Sequence, residues 1–380
     1  MPSPEVLDFA KLLGPVPGDK PAGVDLRANR GPTSPYDKLK DARTAARTAE
    51  RAILVPAGDD EDAKKAQRDA IRVAQEKWPI VRDLAPGVIA ELAKDLEVAA
   101  WLIEALVRSK SGYAGLRDGF RLTRELVERF WDGLYPMPDE DGLATRLAPL
   151  TGLNGDETEG TLLTPIQNVP ITENTVDYSL TCLTYRQAHE LLMLDESKRA
   201  QRIKEGAVSM QVFDAAVKES SAEFFVNLLD DIKQCAEEFE KLTGVLQEKC
   251  GTDAPPSSNI RNALENCRET VENIAKDKIG APAVGADGAA AQAGQAGEQG
   301  ATGVVAVGAI RSREDAFRNL LQVAEYFRRN EPHTPISYAL EQVVRWGKMS
   351  LPELLVELIP EDSSRSNLFK WVGIKPPERT

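Results

Sequence analysis

Histidine moves protons near neutrality more often than any other side chain, and this 380-residue chain has two, His189 and His333. Neither stands at a spacing that suggests a partner. In RQAHELLML the second histidine of an HExxH zinc site falls on Met193, so that motif is absent and His189 reads as an ordinary helical residue. Cys182, Cys235, Cys250 and Cys267 form no CxxC pair and read as buried, reduced thiols. The acidic runs GDDEDAKK and MPDEDG flank helix starts, where carboxylates suit the helix dipole, and read as solvated rather than cation-binding. There is no GxSxG elbow, kinase loop set or GxxxxGK[ST] loop, so no catalytic constellation, metal site or cofactor is expected. For an enzyme, chemistry by carboxylates alone is the reading that remains.

Two groups of residues suit binding better than catalysis. Arg43, Arg47 and Arg51 recur every four residues with alanines between them, which puts three guanidinium groups on one helical stripe. The stripe reads as a solvated face or as a docking surface for an acidic partner. The second group lies in YFRRNEPHTPISYALEQVVRWGKMSLPELLVELI, Tyr326 to Ile359, where aromatics, arginines and leucines are dense. Interface cores favour aromatics and arginine, and Tyr326, Phe327, Arg328, Arg329, Tyr338, Arg345 and Trp346, with Phe369 and Trp371 beyond, supply them.

The elements that must position these groups are helical. Residues 36–135 read as four helices: one after Tyr36, then Ala63–Gln75, Pro86–Lys110 and Tyr113–Tyr135. The third is apolar nearly all round and therefore central. Gly152 to Thr172 reads as a connector with a strand or two. A further helix is expected from Val176 to Lys204. Phe225, Leu228, Ile232, Cys235, Phe239, Leu242 and Leu246 alternate spacings of three and four, as do Ile260, Leu264, Cys267, Val271 and Ile274. Two such seams joined by CGTDAPPSS predict an antiparallel hairpin.

Gly280 to Ala309 contains 19 Gly or Ala in 30 residues and no aromatic, which reads as a flexible tether with a span of roughly 30 Å. After it, short helices are expected with starts at Ser312, at Thr334-Pro335 and at Ser350, the second stopped by Gly347, and a fourth around Leu368–Val372. Seventy residues of this kind make a marginal core, which favours self-association. The fold class is thus mainly α. Four segments are expected: an N-terminal helical domain over 1–172, a middle helical domain over 173–279, the linker 280–309 and a C-terminal oligomerisation domain over 310–380.

Net charge is -13. From Ile310 onward, 11 Lys/Arg stand against 10 Asp/Glu, so residues 1–309 carry -14. That balance argues against nucleic acid or anionic lipid as the main partner. No apolar run approaches the roughly 18 residues of a membrane span, and the N-terminus lacks a cleavable-signal pattern, so a cytoplasmic protein is expected.

At this point a resemblance becomes specific. The segment YFRRNEPHTPISYALEQVVRWGKMSLPELLVEL resembles the C-terminal region of TssA, the ImpA-type component of bacterial type VI secretion systems. LLGPVPGDKPAGVDLR, YDKLKDAR, RFWDGLYPMPDEDGLATRLAPLTGLNG and LLTPIQNVPIT resemble its ImpA N-terminal domain. The resemblance covers about residues 10–172 and 311–359, and the hairpin matches only in general character. It implies a non-enzymatic cytoplasmic scaffold whose C-terminal domain forms a homo-oligomeric ring. Its implied partners are the inner tube, sheath, spike and baseplate components, with the membrane complex as a further contact. Tyr326, Arg329, Glu331, Pro332, Pro335, Leu340, Arg345 and Trp346 match the family pattern at one end, and Pro21, Gly23, Asp25 and Leu26 at the other. The chain resembles the short form of the family, for which a role at the baseplate or in priming tube and sheath is expected. A monomeric adaptor is the alternative.

Overall fold

Side-chain oxygens one residue ahead of a helical run open several elements here. Asp60, Asp95, Thr181, Asp195 and Ser221 each accept a hydrogen bond from a backbone amide two or three residues on. The computed structural model describes residues 3–54, 60–140, 142–173, 180–279, 313–330 and 335–358. Among them the chain is all-helical, with isolated β-bridges and no strand. The helices are α1 Phe9–Leu12, α2 Pro35–Ile53, α3 Glu61–Glu91, α4 Leu96–Val107, α5 Gly112–Phe130, α6 Ala144–Asn154, α7 Leu163–Gln167, α8 Cys182–Leu192, α9 Glu196–Lys204, α10 Met210–Glu219, α11 Ala222–Cys250, α12 Ser258–Ile279, α13 Arg313–Asn330, α14 Ile336–Lys348 and α15 Leu351–Leu358.

The chain divides into two units, Met1–Ala286 and Asp287–Thr380. In the first, α4 is the buried centre: every residue from Leu96 to Val107 except Glu97 is shielded from solvent. Helices α3, α5 and α6 pack on it, and α2 lies along α3. The two seams of α11 and α12 pair as expected, and Arg261 in the first turn of α12 holds Glu240 of α11 at 2.6 Å. Helix α11 in turn runs along α5, with Phe120 and Phe239 ring centroids 4.9 Å apart. Residues on both sides of position 172 therefore contribute to one continuous apolar core.

The chain start is fastened across this packing. Asp118, fully buried in α5, accepts from the amides of Val6 at 2.5 Å and Leu7 at 3.3 Å. Arg117 donates to the Ser3 and Pro4 carbonyls, and Asp231 of α11 accepts from the Ser3 amide at 2.8 Å and its hydroxyl at 2.6 Å.

Several expected boundaries move. The helix read as Pro86–Lys110 is two helices, broken at 92–95, because Asp95 caps α4 and Lys94 and Asp95 are engaged by the chain on either side. Conversely, α3 runs through Pro79 and Pro86, each costing about 3 kcal/mol in an isolated helix. Burial of Trp78, Val81, Ala85, Val88 and Ile89 on its inner face offsets that cost. Helix α5 ends at Phe130 rather than Tyr135, and α8 and α9 replace the single helix read over 176–204. In the region read as strand-bearing, the described residues form the end of α6, the short helix α7 and isolated bridges, with no strand.

Candidate functional site

Helix α2 presents the arginine stripe, and its three members meet different surroundings. Arg43 is turned to the protein: its guanidinium is hydrogen-bonded through Nε and Nη2 to Glu104 of α4, whose side chain is wholly buried, and lies 5.8 Å from the Trp101 ring centroid. A carboxylate in the core needs such a partner, so Arg43 is committed. One turn on, Arg47 has no ion pair among the described residues. Burial pushes its guanidinium below the ordinary value, opposed by Glu104 and reinforced by Arg43, Arg51 and Arg108. Arg51, another turn on, is exposed and likewise unpaired among the described residues.

The neighbouring basic group is committed as well. Arg108 grips Glu50 with two hydrogen bonds of 2.6 and 2.9 Å and lies 4.1 Å from the Trp78 ring centroid, while Trp78 Nε1 donates to the same carboxylate at 2.7 Å. This knot joins α2, α3 and the end of α4. Beside it a cleft of ≈ 730 Å³ opens between the end of α2 and the loops around 108–110 and 159–170, with Arg47, Arg51, Leu54, Lys110 and Pro165 in its walls. A second cavity of ≈ 350 Å³ continues past Arg43 and Trp101 and shares Arg47 and Thr161 with the first. The structure thus brings all three arginines of the stripe to one groove and leaves two of them uncommitted.

The N-terminal motif builds a clamp instead. The Pro21 carbonyl accepts from Val16, and Gly23 takes a left-handed φ of 81° where a Cβ would lie 2.0 Å from the Leu92 carbonyl oxygen. Asp25 caps the 3-10 turn Leu26–Ala28 by accepting from the Arg27 amide, and Leu26 is buried in the core. The turn aims Arg27 at Asp95, 2.8 Å away, and at Glu97, 2.5 Å away, and Tyr36 donates to Glu97 at 2.7 Å. Burial first, then that hydrogen bond to a carboxylate, raises the Tyr36 phenol above its usual range. What the geometry gives Pro21, Gly23, Asp25 and Leu26 is the holding of the α3–α4 break, on the side of the groove where Arg27 and Glu97 stand. Sequence reading passed over Arg27, Asp95, Glu97 and Glu104. Asp95 alone carried a signal, an aspartate directly ahead of an apolar run.

In the second unit, Arg328 pairs with Glu341, and Arg345 with Glu357, tying α13 to α14 and α14 to α15. Gly347 does not stop α14: it lies inside the helix, where the Phe317 ring sits so close that a Cβ would fall 2.5 Å from its Cζ. Among the described side chains only Ala324, Ser337 and Val344 are buried. Tyr326 is 61% exposed and Tyr338 67%. Phe327, Leu340 and Trp346 are half-buried, Arg329 and Arg345 exposed, and Trp346 Nε1 is sequestered without an acceptor among the described residues. Glu331, Phe369 and Trp371, together with His333 and the helix starts at Ser312 and Thr334, lie outside the described residues.

No group of three or more His, Cys, Asp or Glu among the described residues is placed to hold a metal ion. The four cysteines are buried and free. His189 sits in α8 with its ring edge-on to Tyr185, centroids 4.7 Å apart. No helix among the described residues is long and apolar enough to cross a membrane.

Comparison with known proteins now bears on this arrangement. The family described as ImpA, N-terminal, type VI secretion system, matches residues 13–155, from the clamp through α6. Over 383 residues the chain is 28% identical to the type VI secretion system component TssA1 of Pseudomonas aeruginosa, spanning 95% of this chain and 97% of that one. The front of the chain thus matches the ImpA N-terminal family, and the whole chain is similar to a TssA component. A match of that span takes in the second unit as well as the first. The fold agrees with the solved N-terminal domain, including the conserved ImpA_N region, of the TssA component from Burkholderia cenocepacia: TM-score 0.57 at 24% identity, covering 71% of this chain and 94% of that one. The likeness to TssA components spans both units, and the all-helical front unit that carries the groove is the part matched by the ImpA N-terminal family.

Proposed function

We propose that this TssA-like protein is a non-enzymatic scaffold whose C-terminal unit gathers copies into a ring in the cytoplasm. Its N-terminal units then engage inner tube, sheath, spike and baseplate components while the secretion tail is built. The observation that carries the reading is the poor burial within α13–α15: Tyr326, Tyr338, Val343 and Leu358 are each more than two-fifths exposed in a unit that shields three described side chains. A face of that kind gains about 25 cal/mol for each Å² of apolar surface that a second copy covers. The unpaired Trp346 indole N–H supports the same reading, since an acceptor from another copy relieves a cost of about 1–3 kcal/mol.

Light scattering on the full chain tests it. A mass many times 41.5 kDa is expected, falling to that of one copy when the chain ends at residue 279. A full chain that stays at 41.5 kDa in dilute buffer leaves a monomeric adaptor, a reading favoured by the ion pairs that already join α13, α14 and α15.

A further inference from the structure

We infer that the groove along α2 is a receptor for a short acidic segment of a partner protein, gripped by Arg47, Arg51 and Lys110. This goes beyond the scaffold reading and holds whether or not the C-terminal unit forms a ring.

The argument is an inventory of charge. Six cationic side chains line the two connected cavities: Arg27, Arg43, Arg47, Arg51, Arg108 and Lys110. Arg27, Arg43 and Arg108 are spent on Asp95 with Glu97, on Glu104 and on Glu50. The other three have no ion pair among the described residues, and the one carboxylate of the walls outside these pairs is exposed Glu159, which accepts from Thr164 at 3.1 Å. In the larger cleft Arg47, Arg51, Arg108 and Lys110 stand against Glu50 and Glu159, an excess of two positive charges in a concave site on a unit whose net charge is strongly negative. Helix geometry sets Arg47 and Arg51 one turn apart, about 6 Å along the axis, which matches carboxylates on successive same-side residues of an extended strand.

The occupant is argued from the walls as well. Arg47 is half-buried, so an anion reaching it is partly desolvated and its attraction is less screened than at an open surface. Leu54, 69% exposed, stands with Val107 and Pro165 in the same cleft and offers an apolar side chain a seat between the charges. A volume of ≈ 730 Å³ suits a few residues of chain rather than a folded face. Recognition of acidic motifs by clustered arginines is a known mode of peptide capture. The partner segment is therefore extended, with two or more Asp or Glu around a single aliphatic residue.

The test uses the full chain and a dye-labelled peptide, Glu-Glu-Leu-Glu-Glu, against its Gln-Gln-Leu-Gln-Gln counterpart in fluorescence polarisation at about 0.1 M salt. Binding of the acidic peptide alone is expected, weakened about tenfold or more by Arg47→Glu and by the exposed pair Arg51→Glu with Lys110→Glu. The same charge change at Lys276→Glu on α12 leaves it unaltered. Circular dichroism reports folding of each variant, and the surface pair decides the matter if Arg47→Glu misfolds. Failure of the acidic peptide to bind, equal binding of both peptides, or equal loss in Lys276→Glu overturns the inference. So does tighter binding to vesicles of anionic lipid than to the peptide. The mass of each variant by light scattering separates the two readings: a groove variant that loses peptide and keeps its mass supports the receptor, whereas one that changes mass makes the groove a contact between copies.

Discussion

Lys94 is the residue where burial and charge conflict most directly. Its ammonium, shielded completely from solvent, donates to the Leu12 and Ile89 carbonyls at 2.7 and 3.0 Å and lies 5.2 Å from the Phe130 ring centroid. Burial pushes its pKa down to about 8 from 10.5. Between those values the unfolded chain holds a proton that the folded chain has released, so the contribution of Lys94 to stability rises with pH. Urea unfolding of wild type and Lys94→Met, compared pair by pair, should show the wild type gaining about 3 kcal/mol on the variant from pH 8 to 10.5. A constant gap across that range means that the lysine titrates normally. Gly23 is sharper still: Gly23→Ala forces a Cβ into the Leu92 carbonyl at a left-handed φ. It should lower stability by on the order of 1–3 kcal/mol, read as a drop in melting temperature. At this scale little could be read from the chain in advance. The spacing of Arg43, Arg47 and Arg51 was plain, but their division into one committed and two open groups depends on Glu104, a buried carboxylate in an otherwise apolar run.

Elements were more legible, because seams at three and four survive any rearrangement around them. The seven seam residues of α11, Phe225, Leu228, Ile232, Cys235, Phe239, Leu242 and Leu246, are all buried as their spacing requires, and so are Ile260, Leu264, Cys267 and Val271 of α12, whereas Ile274 at the end of that seam is only partly buried. Boundaries set by tertiary contacts were not legible. The reading that ended one helix at Gln75 and began the next at Pro86 divides a segment that core burial keeps helical, and the break at 92–95 depends on residues near position 23 and on Tyr135. One pairing has a testable consequence: α11 covers α5 through the Phe120–Phe239 contact and the Arg124–Glu238 ion pair at 3.3 Å. A fragment ending at residue 172 should therefore bind a hydrophobic dye and melt without a sharp transition. A fragment ending at 279 should melt cooperatively. A cooperative, dye-free 1–172 fragment would show that α5 needs no cover.

For the molecule as a whole, composition spoke most clearly. Residues 1–309 carry -14 and those from Ile310 onward +1, and the division into two units falls inside the Gly/Ala-rich stretch. The groove inverts that sign locally, which bulk charge cannot reveal because paired and unpaired arginines count alike. The fastening of Ser3 between α5 and α11 has a practical side for anyone imaging such a protein in cells. With the Ser3 amide and hydroxyl already held by Asp231, a fluorescent reporter grafted directly ahead of it would pry at the joint between two long helices. A spacer of several glycines and serines lets the label hang clear and leaves that joint shut.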